Sequence, residues 1–388
     1  MIFVLLLCIV QIIAQSTTAS RVYGQGGSFT QNTANNGGLS ASSLNSPNGI
    51  ALDIVNGIYL SDSNNNRILY FPADNVVATR VYGQAGSFTS NTQNNGGVTA
   101  SSLLIPKGLT LDSLNNLYVA DAGNNRVLFY NSGSTAASRV YGQGGSFNQN
   151  LANNGGVSAS SLNSPLCVRV DNSGNVYVCD ANNNRVLFYS GTSTTATRVY
   201  GTGGSFTSPG TGSASATTLL TPQDVTFDSS GKIYISDSGF NRILIFIGTS
   251  TTATSVIGQT SLTSSSTGCT SVNLGAPVGL HMLANGNLYV ADGNSRVLLF
   301  SNGTAIQVYG ENGSFTTCGT NNGGISANSL YYPKQITTDS NGYIYISDTF
   351  NNRVLYFGTS STTGTTTRPA NSYQIGFSLG ILVLLFFI

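Results

Sequence analysis

PKGLTLDSLNNLYVADAGNNRVLFY, residues 106–130, decides the fold. A proline opens it, an apolar run follows, and Asp112 begins a Gly/Asn-type turn. A Tyr-centred run then ends on Asp121, an Asn-rich turn leads to Arg126, and a third apolar run closes the stretch. The apolar residues alternate with period two, which predicts short half-buried strands rather than helix. Moving outward, the same text recurs six times. PNGIALDIVNGIYLSDSNNNRILYF (47–71) precedes it, and further copies open at Pro165, Pro222, Pro277 and Pro333, the starts lying 55 to 59 residues apart. A period of this size marks a repeat whose units bury their apolar faces only by stacking on neighbours.

A fourth strand per copy is marked by a Val-Tyr-Gly tripeptide at Val22, Val81, Val140, Val199 and Val308, with the variant Val-Ile-Gly at Val256. The first tripeptide precedes the first proline, and none follows the sixth copy. The expected architecture is therefore all-β: a six-bladed β-propeller, four antiparallel strands per blade, its ring closed by the N-terminal strand in the last blade. Closure of this kind leaves no unpaired blade edge.

The pattern PxGIxxD…GxxYVxDxxNNRVxxF resembles the NHL repeat, and the resemblance spans nearly all of residues 21–357. The fifth copy departs from it, with Leu283 in place of the strand-ending Asp and a turn one residue short before Arg296. The resemblance implies the fold. Function does not follow, because this fold serves lyases, RNA-binding adaptors and extracellular sensors.

Both ends read as targeting segments. Residues 1–20 form an apolar run followed by small residues, a signal peptide with cleavage expected after Ala14 or near Ala19 and Ser20. Residues 358–374 are a Ser/Thr-rich linker and anchor-site spacer, and 375–388 an apolar tail too short to span a bilayer as a helix. Small residues at Gly364, a polar spacer and that tail match a lipid-anchor signal, with Ser360–Thr362 as another site and a short tail helix as the alternative. The expected location is the secretory pathway, then the outer face of the plasma membrane or the medium.

Charge is sparse, with 15 Lys+Arg against 14 Asp+Glu, and most of it sits at repeat positions. Nucleic-acid binding needs clustered Lys and Arg, and three lysines supply none. No nucleic-acid partner and no cofactor are expected.

The recurring pairs Asp62/Arg67, Asp121/Arg126, Asp180/Arg185, Asp237/Arg242, Asp292/Arg296 and Asp348/Arg353 are read as structural turn clamps, since sixfold recurrence suits a scaffold better than a reactive site. Asp53, Asp112, Asp171, Asp228 and Asp339 open turns in five different blades and should lie too far apart to share a cation. Some secreted NHL-type propellers resemble peptide-amidating lyases with a multi-histidine zinc site. Here His281 is the one histidine, too few for the three protein ligands catalytic zinc needs, and it is read as a packed strand residue. No catalytic or metal residue is assigned.

The long loop before each proline carries the remaining signal. GGSFTQNTANNGGLSASSLNS (26–46) recurs almost unchanged at 85–105 and 144–164 and in altered form at 312–332, while the fourth and fifth copies lack NNGG. Strand alternation puts these loops on the same face as the Asp/Arg turns, so that face should be broad, uncharged and rich in amides. Leu44, Leu103, Leu162, Leu219, Leu274 and Leu330, three before each proline, are expected as buried plugs. Phe29, Phe88, Phe147, Phe206 and Phe315 are either loop anchors or exposed rings for a ligand.

Two disulfides are expected. With the turn centred on Ser173, Cys167 falls opposite Cys179 on the neighbouring strand. Cys269 and Cys318 lie in same-face loops of adjacent blades. Asn302 and Asn312 head the N-x-S/T sequons. The leading reading is a membrane-anchored extracellular propeller that binds an unknown protein or carbohydrate through its loop face. The alternatives are a secreted metal-dependent lyase or hydrolase with its site in the central channel, and a structural coat protein without a discrete ligand.

Overall fold

The computed structural model describes residues 16–210 and 212–358. These form six four-stranded antiparallel sheets around a ring. Blade one runs Pro47–Leu52, Ile58–Asp62, Arg67–Phe71 and Arg80–Tyr82 from the axis outward, and the next four blades repeat that order. Blade six is made of Pro333–Thr338, Ile344–Asp348 and Arg353–Phe357, and its outer strand is Arg21–Tyr23. Arg21 pairs with Tyr356, Val22 with Leu355 and Tyr23 with Val354, so the ring closes as expected.

Closure begins before Arg21. Ala19 N–H donates to Ala327 O and Ser20 N–H to Tyr356 O. Ala78 to Ala41, Ala137 to Ala100 and Ala196 to Ala159 make the same bond in the first three blades. Ala19 is buried in the cluster between blades five and six. The repeat thus includes two residues that the sequence reading placed in the signal peptide. A signal cleaved after Ala14 keeps them, and one cleaved after Ser20 removes them.

The core is a set of wedges between blades. Ile50, Leu60, Leu69 and Phe71 of blade one pack against Tyr23, Tyr345 and Val354 of blade six, and equivalent clusters fill the other interfaces. No blade buries both faces alone, which is why the copies must stack. Along the axis the innermost strands approach backbone to backbone. A Cβ on Gly49 would stand 2.6 Å from Lys107 O, and one on Gly108 2.7 Å from Leu166 O. The six leucine plugs are buried beneath the loop face.

Candidate functional site: loop face and channel mouth

Each Asp–Arg turn sits at the loop-bearing end of its blade. Asp121 and Arg126 face each other across a short turn whose last residue, Asn125, is left-handed at φ 53°. Asparagine tolerates that conformation, and its side chain is used as well. Asn125 Nδ2 donates to Asn150 O, and its Oδ1 accepts from Ser164 N–H.

Arg126 is fully buried. Its Nε donates to Asp121 Oδ2 at 2.8 Å, one terminal nitrogen to Phe147 O at 2.6 Å, and the other to Thr99 O and Ser102 O at 2.9 and 3.0 Å. Asp121 also accepts from Leu104 N–H and Asn124 Nδ2. One guanidinium therefore holds the loop before its blade and the loop after it. Arg67, Arg185, Arg242, Arg296 and Arg353 repeat the pattern, with Leu262 O replacing the Phe carbonyl for Arg242. Arg353 donates to Phe29 O, so the clamp also crosses the seam where the ring closes. Burial pushes each Asp carboxyl upward and the paired arginine opposes it. Asp237 reaches about 6, and Phe240 stands where the other turns supply an Asn amide.

The five recurrent phenylalanines are half-buried. Phe29, Phe88, Phe147, Phe206 and Phe315 pack against the inter-blade clusters, and their carbonyls are the ones the arginines hold. This is the geometry of an anchor. In the four NNGG loops, those entering blades one, two, three and six, reciprocal amide pairs such as Asn94–Asn124 (2.9 and 2.7 Å) tie loop to turn. The loop entering blade five has no such pair; Cys269 is joined there to Cys318 in the next loop, with Cα atoms 6.3 Å apart. Cys167 and Cys179 are register partners joined at a Cα separation of 4.9 Å. Asn302 and Asn312 are exposed. Gly364 lies outside the described residues.

The turn acids bind their own turns. Asp112 Oδ1 accepts from Leu114 and Asn116 N–H, and Asp53, Asp171, Asp228 and Asp339 do likewise. Among the described residues no three metal-ligating side chains gather.

The channel breaks the sixfold pattern. At the third residue of the innermost strand, blade four carries Asp224 where three blades carry glycine. Arg169 of blade three grips Asp224 with two bonds of 2.8 and 2.6 Å. Leu280 N–H of blade five and Gln335 Nε2 of blade six also donate to this carboxylate. One acid thus bridges blades three to six, and hydrogen-bond donors occupy both its oxygens. Beside it, His281 Nε2 lies 2.9 Å from Thr338 Oγ1. Burial and the Arg169 charge push the imidazole down to about 4, so it is neutral at physiological pH.

One tier nearer the loop face the second residues of the innermost strands are Asn48, Lys107, Leu166, Gln223, Val278 and Lys334. Burial lowers both lysines, Lys334 to about 7 with a further push from the charge of Lys107. Neither has an ion-pair partner among the described residues. The loop face is therefore charged at its centre, contrary to the uncharged surface the sequence suggested. Lys334 Nζ also stands 4.1 Å over the Tyr332 ring. Tyr332 stacks on Phe350 (centroids 5.1 Å, 19°), and Tyr331 meets Phe350 edge-on at 5.0 Å. Reading the copies one beneath another, rather than for what they share, is the signal that would have found these residues.

The geometry defines a closed repeat propeller with pre-set loops on one face. A model of the NHL repeat matches residues 103–129 and 162–188. The chain is thus a six-bladed propeller that carries NHL repeats. No curated protein sequence matches it significantly. Similar solved structures include a streptogramin B lyase (15% identity, covering 82% of this chain and 96% of that one, TM-score 0.50). A gluconolactonase from Xanthomonas campestris is similar too (14%, 88% and 98%, 0.50). So is a protein of unknown function from Bacteroides thetaiotaomicron (16%, 87% and 75%, 0.58). At these identities the likeness is one of fold.

Proposed function

We propose that this propeller is a non-enzymatic binding scaffold that takes a polar ligand on its loop face, at the outer cell surface or in the medium, with a lipid anchor signalled at Gly364. The observation that carries this reading is the arginine clamp. Every arginine fastens two successive loops, so the face is pre-organised before any ligand arrives, and pre-organisation lowers the ordering cost of binding. The surface so displayed is amide and hydroxyl, with Gln31 and Gln149 exposed at equivalent places in the first and third loops and Gln93 exposed three residues further along the second. Loops on a rigid scaffold are where binding functions concentrate.

A lyase or lactonase reading draws on the fold shared with such enzymes. Against it stands Asp224, the channel carboxylate, whose oxygens already accept from Arg169, Leu280 and Gln335. The test is a glycan and peptide array probed with the full-length protein and with a variant carrying Ala at Gln31, Gln93 and Gln149. Hits that the variant loses at unchanged melting temperature support the loop face. Hits that the variant retains in full, or stoichiometric bound metal whose chelation abolishes a hydrolytic or lyase activity, overturn the proposal.

A further inference from the structure

Blade six differs from the other five at one place on the loop face. Tyr331, Tyr332 and Phe350 occupy positions where no other copy has an aromatic ring. The residues corresponding to Phe350 are Asn64, Gly123, Asn182, Gly239 and Asn294. The Asp–Arg clamp is intact in blades without the three rings, so the scaffold does not require them. Phe350 keeps 47% of its surface exposed although it stacks with Tyr332.

The lysine of this cluster belongs to the same blade. Lys334 lies over Tyr332 and is close enough to Lys107, across the mouth, for the two charges to repel. Two like charges without counter-ions at the rim of a channel disfavour one another unless an anion joins them. The acids nearest along the axis and in the turns are already engaged: Asp224 with Arg169, and Asp348 with Arg353. An exposed ring beside paired cations and surrounding amides suits one chemistry above others. A pyranose lays its C–H face on an aromatic ring, gives its hydroxyls to amides, and brings a carboxylate or sulfate to the lysines.

We infer that Phe350, Tyr331 and Tyr332 together with Lys334 and Lys107 form a binding site for an acidic saccharide, its anionic group held at the channel mouth and a sugar ring set against Phe350. The inference rests on the loop-face binding reading and names the ligand class for it. An acidic peptide is the competing class. It is disfavoured because the inner edges of the innermost strands crowd one another along the axis, a Cβ on Gly49 falling 2.6 Å from Lys107 O and one on Gly108 2.7 Å from Leu166 O, which leaves an extended chain no room for backbone pairing.

The test measures binding of oligogalacturonate, dextran sulfate, fully methyl-esterified oligogalacturonate and poly-glutamate to the full-length protein by calorimetry. The variants are Lys334→Gln, which installs the residue blade four carries at that place, and Phe350→Asn, which installs the one blades one and three carry. Both are thus side chains this scaffold already accommodates, and unchanged melting temperatures check it. At least one acidic saccharide is expected to bind, with each variant weakening it about tenfold, as loss of one charge-assisted or stacking contact implies. The methyl ester should bind at least about tenfold more weakly, the value of one such charge. Acylation of Lys334 near neutral pH should be slowed by the bound saccharide. The inference is overturned if no acidic probe binds, if the ester binds equally well, or if poly-glutamate binds as tightly and ignores Phe350→Asn. Array hits on the loop face that survive both variants overturn this inference alone. Absence of any loop-face hit removes the binding reading as well.

Discussion

The clamp ring and the channel it encircles are built from the same residue types and obey opposite rules. Around the ring, six buried arginines make nearly the same bonds in six copies. Along the axis, equivalent positions hold Gly49, Gly108, Cys167, Asp224, Gly279 and Gln335, and one tier higher two lysines among four uncharged residues. Repetition marks what every blade needs in order to stand beside its neighbour. The departures from it mark what only one blade can do. In this molecule the place to look for function is where the copies disagree.

The largest expected effect concerns the seam. Deleting Ala19–Gln25 removes the outer strand of blade six, the Ala19–Ala327 bond and the Gln25 amide that ties the following loop to Asn352. The expected loss is about half or more of the ~5–15 kcal/mol that holds an ordinary domain, seen as aggregation or a non-cooperative melt. A deletion variant that melts like the intact protein would refute closure as the organising contact. N-terminal sequencing of the mature protein sharpens the point: Ala19 should still be present.

Next comes the clamp. Arg126→Leu leaves Asp121 buried without its partner and should cost about 3–5 kcal/mol in denaturant unfolding. Replacing Asp121 and Arg126 together by apolar residues of similar volume should recover much of that loss. Equal losses for the single and the double variant would mean that the loop carbonyls, rather than the carboxylate, need the guanidinium most.

The axis gives a smaller, pH-dependent term. His281 titrates near 4 in the folded protein against an ordinary 6.5. Its folded value is depressed, so its contribution is whole above about pH 6.5 and is lost as pH falls towards 4, where the unfolded chain takes up the proton first. Between those limits the intact protein should lose roughly 2–3 kcal/mol more than His281→Gln does. An imidazole proton resonance that titrates near 6.5 would show that this side chain is solvated. The smallest effect belongs to the mouth. Lys107→Gln and Lys334→Gln should leave the unfolding free energy unchanged or slightly raise it, because burial disfavours both ammonium groups and the charge of Lys107 further disfavours that of Lys334. A large loss for either would make these lysines part of the scaffold and remove the contrast between ring and axis.

Much of this was legible in the chain. Strand period, turn residues and the displaced first Val-Tyr-Gly fixed six blades and their closure, because each is a local signal repeated until chance is excluded. The Cys167–Cys179 register followed from counting across one turn, and the leucine plugs from their constant distance to the prolines. The Asp–Arg turns could be read as clamps from their recurrence, although not that each arginine holds two loops, since one of its acceptors lies on the far side of a strand pair. The phenylalanines could be narrowed to two roles, and only packing distinguished between them.

What the sequence by itself determined is the repeat and therefore the architecture. Backbone periodicity and turn chemistry act over a few residues and are visible in any one copy. The tertiary structure alone decided that Ala19 and Ser20 join the fold, that Asp224 takes partners from blades three, five and six, and that Lys107 and Lys334 share one mouth beside a blade-six aromatic cluster. These depend on which residues a closed ring brings to its axis. Side chains more than a hundred residues apart, such as Asp224 and Gln335, become neighbours there because the six innermost strands converge. A local reading has no access to that convergence, and the charge it left unassigned lies there.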